Sequence, residues 1–412
     1  MMDSPDDKVV CVVGASHAGV TCAFALRREG WPGRIILFDA DPELPYHRPP
    51  LSKAFLTSEL GVEHYLLKPR ESYLKDAIEL RLGVQVANVQ STERYLTLAD
   101  GRRQYYEKLV LATGARPCLP PIKGMADAKN VFPLRTAQDI TRIREALLVS
   151  RQKRVLIIGG GYIGLETAAS LRKMGAEVNI LEREERILHR VTCPFMSEFF
   201  RYTHQNHGVI IETGKQVVAV ESSDAQSTLQ CSDGSSYQAD VIIMGTGVRV
   251  NTALGSSAGV EIENGIKVDP TARTSDEHIY SIGDCTFHFN PHYRRYVRLE
   301  SVQNAIDQAK VAAAAMCGKN VYYDAIPWFW SDQYDIKLQI AGLSQGFDNL
   351  VVRKEDREDQ FSVWYFKGQE LLAVDAVNNA KAYVMGTRLI RDRAIINKEK
   401  LADPAVALKS LV

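Results

Sequence analysis

The chain has 412 residues, more than one hydrophobic core usually fills, which predicts two or three domains. Its composition, 45% hydrophobic and 24% charged, is that of an ordinary globular protein and excludes the disordered and fibrous classes. With 50 basic and 50 acidic residues, it has no net charge that would attract nucleic acid or an anionic membrane.

The first residues and the cysteines indicate the compartment. No apolar run approaches the roughly 20 residues that a membrane helix needs, and the opening MMDSPDDK lacks the pattern of a signal peptide. The seven cysteines do not have the spacing of redox pairs or metal sites. We therefore expect a cytoplasmic protein with reduced thiols, no metal, and neither a membrane nor a nucleic acid as partner.

A β-turn-α-β pattern opens the chain, with an apolar run, a glycine turn, a helical stretch and a second apolar run at residues 8–13, 14–19, 20–28 and 34–38. The turn has Gly14 and Gly19 at the outer positions of the dinucleotide-binding fingerprint and Ser16 at the middle one. A phosphate-binding turn is predicted, and His17 is expected to be a surface or packing residue rather than a base.

The same order of elements recurs at residues 154–158, 159–164, 165–174 and 177–181. This second turn, GGGYIG, has glycine at all three positions, which serve the tight turn, the backbone approach to a pyrophosphate and the packing of helix on strand. Glu182, 18 residues after Gly164, would bind a ribose 2′-hydroxyl and repel a 2′-phosphate. An NAD site is predicted, although Arg183 and Arg186 could weaken the preference over NADP.

Two further apolar strands lead into small-residue turns at 112–114 and 245–247, where the backbone can approach a cofactor closely. Beyond Pro327 the pattern changes. Short β-branched and aromatic runs, followed by a helical stretch, stand at residues 338–341, 350–353, 361–366, 370–374 and 380–391. They predict a small α+β domain at the end of the chain.

A proline-rich segment, PYHRPPLSK at residues 45–53, holds two cations, Arg48 and Lys53, at fixed spacing. Together with the turn at 112–114, Gly283-Asp284, ESVQNA at 300–305 and PWFWSDQ at 327–333, it resembles the NADH-dependent ferredoxin reductases of bacterial oxygenase systems, the putidaredoxin and rubredoxin reductase-like FAD flavoproteins. The resemblance extends over nearly the whole chain in the same order.

The resemblance implies an α/β fold with two Rossmann-like dinucleotide-binding domains, as in glutathione reductase, plus a small α+β C-terminal domain. The expected boundaries give a first part of the FAD domain, an NAD domain, a second part of the FAD domain and the C-terminal domain at residues 1–112, 113–246, 247–326 and 327–412. FAD and NADH are the implied cofactors.

Cofactor contacts carry over by position. The residues expected to contact FAD are Gly14, Ser16, Ala18, Gly19, Arg48, Lys53, Val86, Ala112, Thr113, Gly114, Arg135, Asp284, Val302 and Trp330. Those expected to contact NAD are Gly159, Gly161, Tyr162, Ile163, Gly164, Glu166, Glu182 and Gly247. The acid that binds the adenosine ribose of FAD would fall at Ala40, so Asp41 is the predicted substitute.

Three of these residues are expected to be catalytic. The resemblance places Lys53 near the reactive edge of the flavin, Glu166 beside Lys53, and Trp330 beside the flavin ring on the route by which electrons leave. Pairing Lys53 with Glu166 would leave neither charge uncompensated. Asp284, Trp330 and Lys53 also have structural alternatives, since Asp284 could cap a turn, Trp330 could be core and Lys53 could be a solvated surface charge.

The cysteine positions indicate which kind of group accepts electrons from the reduced flavin. No cysteine lies between Cys22 and Cys118, whereas flavoprotein disulfide reductases and their single-cysteine relatives carry a thiol in that region. We expect hydride transfer from NADH to N5 of FAD and then single-electron transfer to a small acidic [2Fe-2S] ferredoxin, or a rubredoxin, that feeds an oxygenase or a P450.

Two clusters could dock such a partner, although a solvated basic face explains them equally well: Arg294, Arg295 and Arg298, and Arg388, Arg391 and Arg393. Two alternative functions stay open: a redox-responsive signalling flavoprotein like apoptosis-inducing factor, and a monodehydroascorbate-type reductase. The chain could act as a monomer or a homodimer.

Overall fold

The computed structural model describes residues 8–223 and 226–411 and divides into two compact units. The first unit contains the chain up to His47, Gly61–Arg116 and Val250–Phe329; the second contains Arg48–Leu60, Pro117–Arg249 and the chain from Trp330 onward. The short strands Ala115–Pro117 and Val248–Val250 lie where the chain passes from one unit to the other. The division into four domains stays a prediction.

The first unit is built on a five-stranded parallel sheet. Its strands, in spatial order, are Ile279–Ser281, Lys108–Leu111, Val9–Val13, Arg34–Phe38 and Ile78–Arg81. The three central strands are apolar and almost entirely buried, as expected of a parallel sheet with both faces covered.

Two long helices of the first unit, His17–Glu29 and Val302–Met316, pack against each other through small side chains such as Ala18, Ala305 and Ala309. Small residues allow the helix backbones to approach closely. Shorter helices stand at Arg70–Lys75 and Ala253–Ala258, with 3₁₀ turns at Val62–Tyr65 and Gly283–Cys285. Two small three-stranded sheets consist of Val86–Gln90, Tyr95–Leu98 and Arg103–Tyr105, and of Ile266–Val268, Thr286–Asn290 and Arg295–Val297.

The second unit contains a parallel sheet of the same kind. Its strands, in spatial order, are Ile210–Glu212, Glu177–Leu181, Arg154–Ile158, Val241–Met244 and Val131–Pro133. A three-stranded antiparallel sheet consists of Val217–Ser222, Ser227–Cys231 and Ser236–Ala239. The helices of this part are Ala54–Thr57, Ala137–Val149, Tyr162–Lys173 and Pro194–Asn206, with a 3₁₀ turn at Pro49–Ser52.

The C-terminal part of the second unit is an antiparallel sheet with helices. In spatial order its strands are Trp328–Gln333, Ile336–Gly342, Glu370–Val377, Phe361–Lys367 and Asn349–Lys354. Helices Ala380–Arg391 and Lys398–Ala402 and the 3₁₀ turn Leu408–Ser410 follow. No helix in the described ranges is both long and apolar enough to cross a membrane.

The predicted α/β class is confirmed, and most predicted strands agree with the observed ones within two residues. The two Rossmann helices begin three residues earlier than predicted, at His17 and Tyr162. The last residues of each glycine turn already have helical backbone, so turn and helix overlap. His17, predicted at the surface or in packing, is buried and lies 3.3 Å from a ring nitrogen of His47.

A buried arginine holds the end of the chain. Arg353 is 3% exposed, and its guanidinium donates to the carbonyl oxygens of Leu401, Asp403, Pro404 and Val406 at 2.8–3.1 Å. Its Nε donates to Glu355 at 2.9 Å. A planar group with five donors is suited to this position, because it can bind several carbonyls of one segment at the same time.

Replacing Arg353 by Met should therefore lower the free energy of unfolding by about 3 kcal/mol, because four carbonyls and the Glu355 carboxylate lose a hydrogen bond from this buried guanidinium. Hydrogen exchange should increase first at residues 401–406. Arg357→Met, which breaks an exposed ion pair with Asp359, should cost less than about 1 kcal/mol. Equal losses of unfolding free energy in the two variants, measured by chemical denaturation, would contradict a stabilising role of the Arg353 hydrogen bonds.

Candidate functional site

The two glycine turns have the same backbone geometry. Gly14 N–H donates to the carbonyl of Phe38 at 2.8 Å, and Gly159 N–H donates to that of Leu181 at 2.9 Å. Both glycines have positive φ, 107° and 112°. A Cβ there would stand 2.2 Å from the Ala112 carbonyl oxygen in the first unit and 2.4 Å from the corresponding oxygen in the second. Glycine is therefore required at both positions.

An acid immediately after the second strand completes each turn. Glu182 accepts from the backbone N–H of Gly160 at 2.6 Å, and Asp39 accepts from the backbone N–H of Ala15 at 2.5 Å. The other carboxylate oxygen of each accepts from the N–H two residues further on, at 2.8 and 2.9 Å. Asp39 is thus the counterpart of Glu182.

The predicted ribose acid, Asp41, has a different environment. Its carboxylate accepts from the Tyr46 hydroxyl at 2.9 Å and from the backbone N–H of Glu43 at 3.1 Å. These bonds shape the loop that leads into the proline-rich segment. Asp41 was predicted as the ribose-binding acid because it is adjacent to the expected position, Ala40. The hydrogen bonds of the turn favour Asp39 instead.

The second turn has room for a phosphate at the helix N-terminus. The N-cap residues Ser16 and Gly161 make no side-chain cap bond to their helices. A Cβ added to Gly161 would meet no atom within 4 Å, so the space in front of the first helical turn is open. Backbone N–H groups and the positive end of the helix dipole make this space suitable for a pyrophosphate.

The turn at 112–114 is fixed by Asn251. The Thr113 hydroxyl donates to the Asn251 carbonyl at 2.7 Å, and Asn251 donates to the Thr113 carbonyl at 2.9 Å and to the Gly114 carbonyl at 2.9 Å. Ala112 and Val86, two other predicted FAD contacts in the first unit, are buried.

Asp284 stands on a glycine turn that is held by buried groups. Gly283 has φ 81°, its N–H donates to Gln308 at 2.8 Å, and its carbonyl accepts from Thr286 at 2.9 Å. The helix that begins at Val302 is capped by the hydroxyl of Ser301. The buried side-chain oxygens of Gln303 and Asn304 in its first turn have no hydrogen-bond partner in the structure. Such atoms suit a polar ligand at this helix end.

In the second unit, two predicted FAD contacts lie together. The Arg48 guanidinium donates to the Arg135 carbonyl at 2.6 Å. Arg135 precedes helix Ala137–Val149, which Thr136 and Asp139 begin with a capping box. The helix start therefore fixes the carbonyl that holds Arg48.

The predicted pair of Lys53 and Glu166 is present. Lys53 Nζ donates to Glu166 Oε2 at 2.5 Å, and the Lys53 and Glu166 side chains are 22% and 5% exposed. The hydroxyls of Ser52 and Ser331 also donate to Glu166, at 2.7 and 2.6 Å. Three donors therefore compensate a buried carboxylate. Ser170 fastens the same segment by donating to the Ser52 carbonyl at 2.7 Å.

The remaining predicted residues are also placed. Trp330 is half-buried on the strand Trp328–Gln333, Ile163 is exposed at the helix start and Gly247 is exposed in its turn. The predicted FAD contacts are divided between the two units, since Arg48, Lys53, Arg135 and Trp330 belong to the second. Their joint role at one flavin stays a prediction.

Sequence patterns did not indicate a buried polar cluster in the second unit. Asp375, which is 1% exposed, accepts from the hydroxyls of Thr192 and Tyr365 at 2.7 and 2.5 Å. Burial raises the pKa of Asp375 to about 6. Burial raises the pKa of the Tyr162 hydroxyl, and the charge of Asp375 raises it further.

Most of the cysteines are buried. Cys11, Cys22, Cys193, Cys231 and Cys285 are buried, and each of the seven is free in the described structure. Burial raises the pKa of Cys22, which disfavours the thiolate. Thiol chemistry therefore finds no support at the cofactor turns.

Comparison with known proteins gives matches along the whole chain. A family model described as pyridine nucleotide-disulphide oxidoreductase matches residues 8–309, and one described as reductase C-terminal matches residues 328–412. Putidaredoxin reductase from Pseudomonas putida is 41% identical over 99% of this chain and 97% of that protein. Rubredoxin-NAD(+) reductase from the same species is 35% identical over 90% and 96%.

Two solved structures are similar. The chain superposes on the covalent putidaredoxin reductase-putidaredoxin complex with a TM-score of 0.94 at 40% identity, covering 99% of this chain and 98% of that one. For the ferredoxin reductase for the CYP199A2 system from Rhodopseudomonas palustris, the TM-score is 0.93 at 37% identity, with 98% and 99% covered.

The space at Gly161 allows a test of the second turn. Gly161 has φ −81°, an extended conformation that any residue adopts, so Gly161→Ala should leave stability unchanged. The added methyl would occupy the space that a pyrophosphate needs, and NADH should bind about tenfold more weakly. Calorimetric titration with NADH measures this effect.

Gly164→Ala is the matched change, because its Cβ would stand 2.2 Å from the Gly159 carbonyl oxygen. It should destabilise the protein by about 1–3 kcal/mol. Unaltered NADH affinity in Gly161→Ala would contradict the placement of the pyrophosphate.

Proposed function

The chain belongs to the pyridine nucleotide-disulphide oxidoreductase family, and from that premise we propose that it oxidises NADH and passes the electrons singly to a small ferredoxin or rubredoxin. Its relatives include reductases named for putidaredoxin and rubredoxin. They confirm the predicted class, an FAD-dependent NADH:ferredoxin reductase. The observation that carries the proposal is the matched pair of turns, each completed by an acid, in a chain without a cysteine at 23–117.

In this proposal each glycine turn binds the pyrophosphate of one dinucleotide. The turn at 14–19 holds the pyrophosphate of FAD, with Ser16 and Ala18 at the helix start and Asp284 and Val302 toward the ribityl chain and flavin. The turn at 159–164 holds the pyrophosphate of NADH. Bound FAD supplies the redox chemistry, since flavins accept a hydride and can release electrons one at a time. The protein supplies orientation, charge and exclusion of water.

Two observations support NADH over NADPH. The Glu182 carboxylate is held at the turn by two backbone N–H groups and repels a 2′-phosphate. Arg186, which could have bound a 2′-phosphate, donates instead to Ser197 Oγ at 2.6 Å and to the His189 carbonyl at 2.8 Å. Arg183 pairs with its neighbour Glu184 at 2.8 Å.

We further propose that Asp39, rather than Asp41, binds the adenosine ribose of FAD. Asp39 stands one residue beyond strand Arg34–Phe38, as Glu182 stands one residue beyond strand Glu177–Leu181. Both strands pair in parallel, and in the same register, with the strand that precedes the glycine turn. This register brings the two carboxylates to equivalent positions.

Asp39→Asn should weaken FAD binding roughly tenfold, because a charged acceptor for ribose hydroxyls is lost and the amide opposes the Ala15 N–H. Asp41→Asn should change FAD affinity less than about twofold, since an amide oxygen can still accept from Tyr46. Dissociation of FAD during dilution, followed by flavin fluorescence, measures both. A larger loss in Asp41→Asn would reverse the assignment.

The proposed partner is acidic, and each of the two basic clusters is a candidate surface for it. Arg298 pairs with Glu300, and Arg388 pairs with Asp392 at 3.4 Å, so part of each cluster is neutralised within the chain. Arg294 and Arg391 are exposed. Steering by exposed charges weakens with salt. A partner that feeds an oxygenase or P450, and a cytoplasmic location, remain part of this proposal.

Stopped-flow mixing tests the reaction. We expect saturating NADH to bleach the flavin within milliseconds to seconds, and the reduced protein then to reduce a [2Fe-2S] ferredoxin at a rate that falls as ionic strength rises. A rubredoxin and monodehydroascorbate serve as competing acceptors, and cytochrome c measures electron transfer through the ferredoxin. Reduction of cytochrome c that is indifferent to added ferredoxin or rubredoxin would contradict a protein partner.

The alternative, a redox-responsive binding protein, predicts a different time course. NADH would then reduce the flavin slowly, a long-wavelength absorbance band would persist, and no acceptor protein would accelerate its decay. Faster turnover with monodehydroascorbate than with either iron protein would favour the small-molecule reductase.

A further inference from the structure

A continuous chain of hydrogen bonds runs through the second unit from Tyr334 to Glu166. The Tyr334 hydroxyl lies 3.3 Å from Nδ1 of His204, and Nε2 of His204 lies 2.8 Å from Oε1 of Gln333. Gln333 Nε2 donates to Ser331 Oγ at 3.1 Å, and Ser331 Oγ donates to Glu166 Oε1 at 2.6 Å.

Every proton in this chain points toward the carboxylate. An ion-paired Glu166 can only accept, so Ser331 gives its one hydroxyl proton to Glu166 and accepts from the Gln333 amide. The amide oxygen of Gln333 then faces His204, which places the imidazole proton on Nε2 and leaves Nδ1 to accept from Tyr334.

The protonation of the ring residues agrees with this direction. Burial lowers the pKa of His204 to about 4, so the imidazole is neutral and has one N–H at neutral pH. Burial also raises the pKa of Tyr334 to about 12, which keeps its hydroxyl proton. The exposed His207 and, near Tyr334, Arg172 are the other charged or titratable groups at this end.

The hydrogen-bonded side chains are buried, so each of their polar atoms needs a partner within the protein. Ser331, Gln333 and His204 are each 0% exposed, and Glu166 is 5% exposed. A buried polar group that lacks a partner is costly, whereas a fully paired network fixes one arrangement of side chains. Apolar residues would have filled this interior at a lower cost in desolvation free energy, so the presence of a polar network suggests that it has a functional role.

Tyr334, at the outer end of this hydrogen-bond chain, has an unusual backbone conformation. Tyr334 has φ 57°, in the left-handed region that bulky residues adopt only at an energetic cost. Its ring stacks on His207 with 3.6 Å between centroids, which keeps the hydroxyl at His204. Tyr334 also lies in the two-residue turn between strands Trp328–Gln333 and Ile336–Gly342, where positive φ values are common.

We infer that Ser331, Gln333 and His204 form a one-directional chain of donors that fixes the Glu166 carboxylate and, through it, positions Lys53. One carboxylate oxygen binds Lys53 and the other accepts from Ser331. Without the second bond the carboxylate can turn, because the last torsion of a glutamate side chain is soft. The consequence for hydride uptake rests on the proposed function, in which Lys53 acts at the flavin.

Transient kinetics of the FAD-loaded protein test the positioning role. Ser331→Ala removes the last donor, and Gln333→Glu keeps the size of the side chain but draws the Ser331 proton away from Glu166. Both should lower the limiting rate constant of flavin reduction by saturating NADH about tenfold. Ser331→Thr, which keeps a hydroxyl, should restore most of the rate.

The matched control is Ser362→Ala, the loss of an equally buried hydroxyl in the same unit that accepts from Trp364 Nε1 at 2.9 Å and does not belong to the chain. It should change the rate less than about twofold. Equal rates in Ser331→Ala and Ser362→Ala, or a Ser331→Thr variant as slow as Ser331→Ala, would overturn the positioning role.

NMR of the oxidised protein labelled with ¹⁵N-histidine tests the direction of the chain without turnover. In the wild type, His204 should carry its proton on Nε2, and in Gln333→Glu both ring nitrogens should be protonated, because a buried carboxylate would face the imidazole. A proton on Nδ1 in the wild type would reverse the chain and overturn the inference.

The two kinds of failure are distinguishable. If NADH fails to reduce the wild-type protein, the proposed function fails, and the tautomer of His204 still tests the chain. If the wild type is reduced normally and Ser331→Ala is reduced as fast, the proposed function stands and the positioning role is refuted.

Discussion

The ionised side chain of Glu166, which is 5% exposed, constrains the structure of the second unit. A buried charge is tolerated only with close partners, and here Lys53, Ser52 and Ser331 provide them. Two of these donors, Lys53 and Ser52, belong to the segment Arg48–Leu60, and the third, Ser331, belongs to the strand Trp328–Gln333. A single carboxylate on the second Rossmann helix thus binds two segments that are distant in sequence. This contact helps to hold Arg48–Leu60 in the second unit, together with the bonds from Arg48 to Arg135 and from Ser170 to Ser52.

The two glycine turns show how one backbone design accommodates different side chains. Strand register brings the acid to the turn in both cases, and a backbone N–H of the turn binds it. The middle position can then be Gly161 or Ser16, because the turn depends on the two outer glycines and the acid. The turns differ at every position between the outer glycines, GASHAG against GGGYIG, and the acid is Asp39 in one and Glu182 in the other.

The sequence predicted those features whose partners lie within one β-turn-α-β unit. The glycine turns, their strands and Glu182 follow from hydrophobic period and spacing over about 30 residues. The resemblance supplied Lys53 and Glu166, which are 113 residues apart. The count from Ala40 left Asp39 and Asp41 on either side of the expected position, and the proposal of Asp39 depends on the backbone contacts of the turn, which the sequence does not show.

The polar interior of the second unit was not predictable in the same way. His204 and Gln333 are 129 residues apart, and Thr192 and Asp375 are 183 apart. Nothing near a lone histidine or threonine in sequence indicates whether it is exposed or buried in a network. Arg353 likewise looks like any surface cation, although four carbonyls of the chain end surround it. Such residues acquire their roles from tertiary contacts alone.

One strand connects the positioning of Glu166 with the proposed exit of electrons. Side chains alternate between the two faces of a strand, so Ser331 and Gln333 share one face and Trp330 belongs to the other. None of the seven cysteines lies at residues 23–117, and Trp330 is the proposed route by which electrons leave to an external acceptor. The backbone that fixes Ser331 at Glu166 therefore also fixes Trp330. A displacement of this strand would disturb hydride uptake and electron release together, which is a reason for its hydrogen-bonding side chains to be fully buried.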